Sequence, residues 1–311
     1  MIVSKCSTRI SLVGGSTDLQ PFLDKYDYGK VISFPCDIFS YITLFQDKYG
    51  YNKQKRYIIN YTKREEVDEL KDIKNDIARV VLEYFNCKHI TLSFHSDVFS
   101  AGSGLASSTA YLIACIKSVS VHMGKVLSHY EICDLALELE RKFNPLTGYQ
   151  DVYGCGLDGF KMMTFRKDGL EDVHQYNIHF LNSFDIYLRP TGITRNSTEI
   201  LSSVDVDKSK EQIQLVDDLS RSIERVNTHR FLDVINRSWY IKKLTSPLIT
   251  ENEKIQTIDE ELANDDDVLA HKLCGAGNGG FFLLFKNKES KQNPLDIKIK
   301  PFESPLSSKE L

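Results

Sequence analysis

The segment that most restricts this chain is Gly102-Ser103-Gly104-Leu105-Ala106-Ser107-Ser108-Thr109-Ala110. It lies between a short strand at residues 89–95 and an apolar helix running to about residue 123. Glycines let a backbone curl closely around an anion. The helix that begins near Ala106 then aims free amides and its positive dipole end into that curl. Serine hydroxyls at this point can reach phosphate oxygens or a magnesium ion. Taken alone, a Gly/Ser-rich loop is more often just a loop. It lacks the Gly-Lys-Ser/Thr ending of the P-loop and does not follow the dinucleotide-binding GxGxxG, so both of those readings are excluded.

Two further segments share its character. Gly275-Ala276-Gly277-Asn278-Gly279-Gly280 precedes the apolar run Phe281-Phe282-Leu283-Leu284-Phe285 and by itself reads as a tight turn before a buried strand. Near the start, Arg9-Ile10-Ser11-Leu12-Val13 alternates as a strand does, and Gly14-Gly15-Ser16-Thr17-Asp18 breaks it. An arginine at the head of that strand and an aspartate beyond the turn can face one pocket, or each can be a solvated loop residue.

Around these segments the pattern is mixed. The first 45 residues read as strands and turns. Helical spacing of Val67, Leu70, Ile73, Ile77, Val80, Val81 and Tyr84 predicts a helix over 64–86. Residues 128–143 form an amphipathic helix with Ser128 as cap and Glu131 at the capping-box position. Residues 152–166 and 185–190 read as strands, 212–240 and 255–269 as helices, and 286–300 as holding one edge strand. A frayed tail follows. With no repeat and no low-complexity linker, 311 residues arranged this way predict an α+β chain in two lobes.

Composition narrows the partners. The net charge of −4 argues against a general nucleic-acid or membrane-surface binder, which relies on a long-range positive field. An anion must then be held locally, by backbone amides and a few placed cations. Seven scattered cysteines without a CxxC pair fit neither a zinc site nor a disulfide scaffold. They read as small buried hydrophobes in a reducing compartment. With no signal-peptide profile and no membrane-length apolar run, the expectation is a cytoplasmic protein.

In order and spacing the three glycine-bearing segments resemble the three motifs of the GHMP kinases, the family of galactokinase, homoserine kinase, mevalonate kinase and phosphomevalonate kinase. The resemblance runs from residue 5 to about 286. Within the superfamily the chain is most similar to the D-glycero-D-manno-heptose 7-phosphate kinases and their fucokinase-like relatives. Gly14-Gly15-Ser16-Thr17-Asp18 has their Gly-Gly-x-Thr-Asp form, and Gly148-Tyr149-Gln150-Asp151-Val152-Tyr153-Gly154 is like their Gly-x-Gln-Asp-Gln-Tyr. Thr191-Gly192-Ile193-Thr194-Arg195-Asn196-Ser197 and Trp239-Tyr240-Ile241-Lys242-Lys243 are further likenesses. Three positions depart from the pattern. Ser100-Ala101 stands where proline precedes the second motif, Ala106 replaces a glycine, and Asn278 replaces a small residue. A methyl at Ala106 is tolerated with helical dihedrals and strained with positive φ.

The resemblance implies a two-lobed fold: an N-terminal ribosomal-protein-S5-like lobe over 1–170, a C-terminal ferredoxin-like lobe over 171–300, and a tail over 301–311. It implies ATP and Mg²⁺, with Gly102, Ser103, Gly104, Leu105, Ala106, Ser107 and Ser108 holding the phosphates. Ser108 and Glu140 would coordinate the metal. Asp151 would serve as base or orienting carboxylate with Arg9 beside it, and Gly15, Thr17, Asp18, Thr191, Arg195, Lys272, Gly275, Gly277 and Gly279 would line the sugar side. Arg195, Lys242 and Lys243 are the candidate cations for a phosphate already on the sugar. The implied activity is ATP-dependent phosphorylation of a heptose 7-phosphate at its anomeric hydroxyl by a monomer or homodimer. A kinase of an unphosphorylated aldose, or a non-catalytic sugar or nucleotide binder, are the alternatives.

Overall fold

The computed structural model describes residues 1–47, 56–98, 102–194, 197–288, 290 and 293–311. Its first half lays down β1 (Ile2–Val13), α1 (Gln20–Tyr26), β2 (Tyr28–Phe45), β3 (Tyr57–Asn60), β4 (Arg64–Val67), α2 (Asp76–Tyr84) and β5 (Thr91–Ser96). Next come α3 (Ser107–His122), α4 (His129–Arg141), α5 (Tyr149–Gly156), β6 (Phe160–Arg166) and β7 (Gly169–Tyr176). The second half holds β8 (Asp185–Pro190), α6 (Ser197–Ser202), α7 (Val206–Ser209), α8 (Glu211–Glu224), α9 (Thr228–Thr245), α10 (Glu253–Ala263), β9 (Val268–Leu273), β10 (Phe281–Lys286), β11 (Ile297–Ile299) and β12 (Leu306–Glu310).

Two sheets organise these elements. The larger runs β12-β1-β2-β5-β3-β4, with β6 and β7 continuing from β2. The long strand β2 makes this possible, because residues 28–33 pair with β6 while residues 40–45 pair with β5. The smaller sheet, β11-β8-β10-β9, is antiparallel throughout. Helix α3 is buried over most of its surface because it is enclosed by the large sheet, α2, α4 and α5, and its buried residues include Leu112, Ile113, Cys115, Ile116 and Val119. The run Phe281–Phe285 is unbroken because β10 is covered on both faces. Phe281, Leu283 and Phe285 join the core between the sheets, while Phe282 and Leu284 pack beneath Trp239 and Ile255. Each such side chain contributes about 1.5–3 kcal/mol on burial. Among the described residues no helix is long and apolar enough to cross a membrane.

Local readings hold where the signal is local. Ser128 and Glu131 form the capping box of α4, and β11 pairs along β8 as an edge strand. Three readings are corrected. Only the latter part of 64–86 is α-helical, since Asn75 caps α2 through the Ala78 amide and the earlier apolar positions belong to β4 and a 3₁₀ turn. Residues 149–156, read in part as strand, form α5, in which Tyr149, Val152 and Tyr153 turn one face to the core. The tail does not fray. Leu306–Glu310 pairs with Ile2–Cys6 of β1 as the eighth strand of the large sheet.

Candidate active site

One cleft gathers residues from all three glycine-bearing segments. The loop after β5 enters it with Gly102 and Gly104 at positive φ. Ala106, the cap residue of α3, is itself left-handed (φ 60°, ψ 36°), so the methyl stands where a glycine would be unstrained, at a cost of about 1–2 kcal/mol. No side chain caps the first turn of α3, which leaves the cleft end of the helix to meet an anion with its own amides. Within the loop, Ser103 Oγ lies 2.9 Å from Ser107 Oγ and accepts from the Leu105 amide at 3.2 Å. Leu105 is buried as a core residue and its carbonyl accepts from the Arg9 amide. The departure at Ser100-Ala101 lies outside the described residues.

Opposite the loop stands an ion pair. Arg9 of β1 reaches Asp151 in the first turn of α5 through Nη2 and Nε at 2.6 and 3.1 Å, and its Nη1 donates to the Gly104 carbonyl at 2.9 Å. Burial opposes the charge on Arg9, but Asp151 more than offsets this and raises the guanidinium pKa. Asp151 is one-third exposed while Arg9 is buried, so the carboxylate is the partner that a ligand can reach. Asp18 is buried and accepts from the Gln150 amide at 2.9 Å and from Gln150 Nε2 at 3.0 Å. It caps α5 from a position far away in sequence. Burial, with Asp151 adding to it, pushes Asp18 up to about 7.

Glu140 of α4 completes a set of three carboxyl groups. It accepts from Thr109 Oγ1 at 2.9 and 3.0 Å, and burial followed by the charge of Asp151 raises it to about 8. Glu140, Ser108 and Thr109 line the cleft together. Among the described residues no group of three or more His, Cys, Asp or Glu is arranged to hold a metal ion. Lys272 is buried, donates to the Ser11 and Leu12 carbonyls, and burial pushes it down to about 8. Lys242 also lines the cleft and donates to the carbonyls of Leu273 and Gly275.

Of the residues implied on the sugar side, Gly15, Asp18, Lys272 and Gly275 line the cleft. Thr17 and Thr191 are buried with their hydroxyls on backbone carbonyls, Gly14 and Lys30 for the first and Gly280 for the second. Gly277 and Gly279 pack against Ile249 and Ile193. Asn278 accepts from the Asn252 amide. Lys243 is paired with Asp259 at 2.7 Å, under the smaller sheet. Arg195 lies outside the described residues. Sequence reasoning missed Gln212 and Ser238, a buried pair on the cleft wall joined by hydrogen bonds of 2.8 and 3.0 Å. The available signal was a polar residue on the same helical stripe as Leu215, Val216 and Leu219.

Comparison with known proteins gives this geometry a context. Residues 72–159 match the family model GHMP kinases N terminal domain, a span that contains the loop, Glu140 and Asp151. The chain is 28% identical over 306 residues to the D-glycero-alpha-D-manno-heptose 7-phosphate kinase of Campylobacter jejuni, covering 92% of this chain and 89% of that protein. It is 26% identical over 200 residues to the L-fucokinase/L-fucose-1-P guanylyltransferase of Bacteroides fragilis, covering 59% of this chain and 21% of that protein. The fold superposes on a D-glycero-D-manno-heptose 1-phosphate kinase of Bacteroides thetaiotaomicron with a TM-score of 0.78, 18% identity, and coverage of 100% and 99% of the two chains. Residues 72–159 thus match a GHMP kinase N-terminal domain, and over 92% of its length the chain is similar to a heptose 7-phosphate kinase.

Proposed function

We propose that this chain is an ATP-dependent sugar kinase that phosphorylates the anomeric hydroxyl of D-glycero-D-manno-heptose 7-phosphate. The observation that carries the reading is the Arg9–Asp151 pair, with its partly exposed carboxylate, in the same cleft as the open end of α3. Phosphoryl transfer asks a protein mainly to position the reactants and to neutralise charge. Loop amides and the α3 dipole would hold the ATP phosphates. Asp151 would accept a hydrogen bond from the attacking hydroxyl and align it, taking its proton as the oxygen–phosphorus bond to the sugar forms and the bond from the γ-phosphorus to the bridging oxygen breaks, with ADP leaving. Arg9 grips Asp151 Oδ1 with both Nε and Nη2, which fixes the orientation of that acceptor carboxylate. The Arg9 bond to Gly104 couples that acceptor to the phosphate loop.

Ser108, Thr109 and Glu140 present only oxygen donors, and Glu140 is a buried carboxyl whose charged form a cation would stabilise, so these residues fit Mg²⁺. When bound, Mg²⁺ supplies charge neutralisation at the transferring phosphates. One observation favours a second reading, an unphosphorylated aldose as acceptor. The cations described on the cleft wall, Arg9, Lys242 and Lys272, hold a carboxylate or backbone carbonyls, and similarity to the fucokinase supports the same reading. ADP release measured with Mg-ATP across heptose 7-phosphates and free aldoses decides between them. Turnover confined to the phosphorylated heptose supports the first reading, and turnover on a free aldose replaces it with the second. Nucleotide binding without turnover on any sugar would reject both.

A further inference from the structure

Among the described residues, Lys161 is a cation with no exposure at all that the proposed chemistry leaves unused. Its side chain has no exposure, and among the described residues no carboxylate is paired with it. Its ammonium instead donates to three carbonyls: Leu157 at 2.7 Å, Gly154 at 3.2 Å and Gly159 at 3.3 Å. Gly154 lies in the last turn of α5, and Leu157 and Gly159 follow directly as the chain leaves it. The thiols of Cys6, Cys133 and Cys155 surround the same space, and burial lowers Lys161 to about 8. A charge this deep is costly unless its hydrogen bonds are complete. Here all three ammonium protons are used, two on the end of α5 at Gly154 and its cap residue Leu157 and one on Gly159 in the turn that leads into β6.

That helix is the one bearing Asp151. Eight residues are too few for α5 to hold its own geometry, so its direction is set by what grips it. Asp18 caps the N-terminus. Arg9 takes Asp151 in the first turn, and the Arg9 stem lies so close to Gly154 that a Cβ there would sit 3.2 Å from Arg9 Cγ. Lys161 holds the C-terminus, where a cation also suits the helix dipole. The two cations stand on the two strands, β1 and β6, that each pair with β2 in one sheet. Lys161 of β6 pairs with Ser33 of β2, Ser33 pairs with Ser11 of β1, and Arg9 is two residues away on β1.

We propose that Lys161 is a positioning residue for phosphoryl transfer, fixing the C-terminal end of α5 to the sheet so that Asp151 stays aligned on Arg9 and the acceptor hydroxyl. The proposal rests on the reading of Asp151 as the acting carboxylate. It requires that losing the clamp disturb the alignment of one group while leaving the binding surfaces in place.

The test uses the full chain. Lys161→Met, which keeps the stem and removes the donors, is expected to lower kcat about tenfold or more, in line with small misplacements of a reacting group. KM for both substrates and the ATP Kd should stay within about twofold. Tyr153→Phe, which removes only the bond to Asp134 from the same helix, should leave kcat unchanged. If Lys161→Met does not fold, Lys161→Gln, which retains donors, decides the matter by an intermediate loss of kcat. A folded Lys161→Met or Lys161→Gln with unchanged kcat overturns the proposal, as does an equal loss in Tyr153→Phe. Turnover surviving in Asp151→Ala would instead overturn the underlying reading of the site, whatever Lys161 does.

Discussion

Two glycine-rich segments meet in this cleft, and they use their glycines differently. In the loop before α3, Gly102, Ser103, Gly104, Ala106, Ser107 and Ser108 all line the cleft, so the missing side chains leave room for a ligand. In the segment before β10 only Gly275 and Ala276 do so. There the missing side chains leave room for the protein itself: Gly277 against Ile249, Gly279 against Ile193, and Gly280 against the loop. A Cβ on Gly280 would sit 2.3 Å from the Ser103 carbonyl oxygen and 2.9 Å from that of Gly102. The second segment acts as a backing for the first. Composition alone cannot separate the two roles, because glycine admits a close approach from either side.

The comparison breaks most readily at Gly280. Gly280→Ala, at φ 86° and against backbone that cannot swing away, is expected to cost roughly 2 kcal/mol or more of stability. It should also weaken ATP binding by about tenfold, as read by thermal melts and calorimetry. Unchanged ATP affinity in a destabilised Gly280→Ala would remove the backing role. Gly277→Ala sharpens the contrast, since φ is 124° and Ile249 is the neighbour met. A stability loss of about 1–3 kcal/mol with unaltered ATP affinity is expected there.

A proton-linked effect follows from the loop side. Glu140 is raised to about 8 and Asp18 to about 7, above their values in the unfolded chain. Between about pH 4 and pH 8 the folded state therefore binds more protons, and stability falls as pH rises through that window. The Tm of the wild type should drop between pH 5 and pH 8, and Glu140→Gln should flatten part of that slope. A slope unchanged by the substitution would count against a strained carboxyl at this position. The smallest effect belongs to Ala106. Ala106→Gly relieves the left-handed alanine against a larger loss of backbone freedom, for a net gain of about 0.5–1 kcal/mol and ATP affinity equal to or better than wild type.

Much of this site was legible because its signals are local or close to local. The glycine and serine loop, the Arg9 strand and the Asp18 turn each declare a shape within a few residues, and all reach the cleft. What was illegible depends on partners remote in sequence. Residues 149–156 carry aromatic and β-branched residues and read in part as strand, yet Asp18 caps them into a helix across 132 positions of sequence. Thr17 and Thr191 look like sugar contacts until neighbouring carbonyls take their hydroxyls. Lys161 sits in an ordinary strand, and nothing nearby in sequence marks it as buried. The polar tail gives no apolar signal for a strand, and it forms one because β1 offers it an edge.

The most direct measurement is phosphorus NMR of the products from D-glycero-D-manno-heptose 7-phosphate and Mg-ATP, with wild type and Asp151→Ala run side by side. The expected result is a sugar carrying two phosphates, the new one at the anomeric position, formed by the wild type and absent with Asp151→Ala while that variant still binds ATP. Formation of the same product at an unchanged rate by Asp151→Ala, or no transfer to this sugar by the wild type, would contradict it.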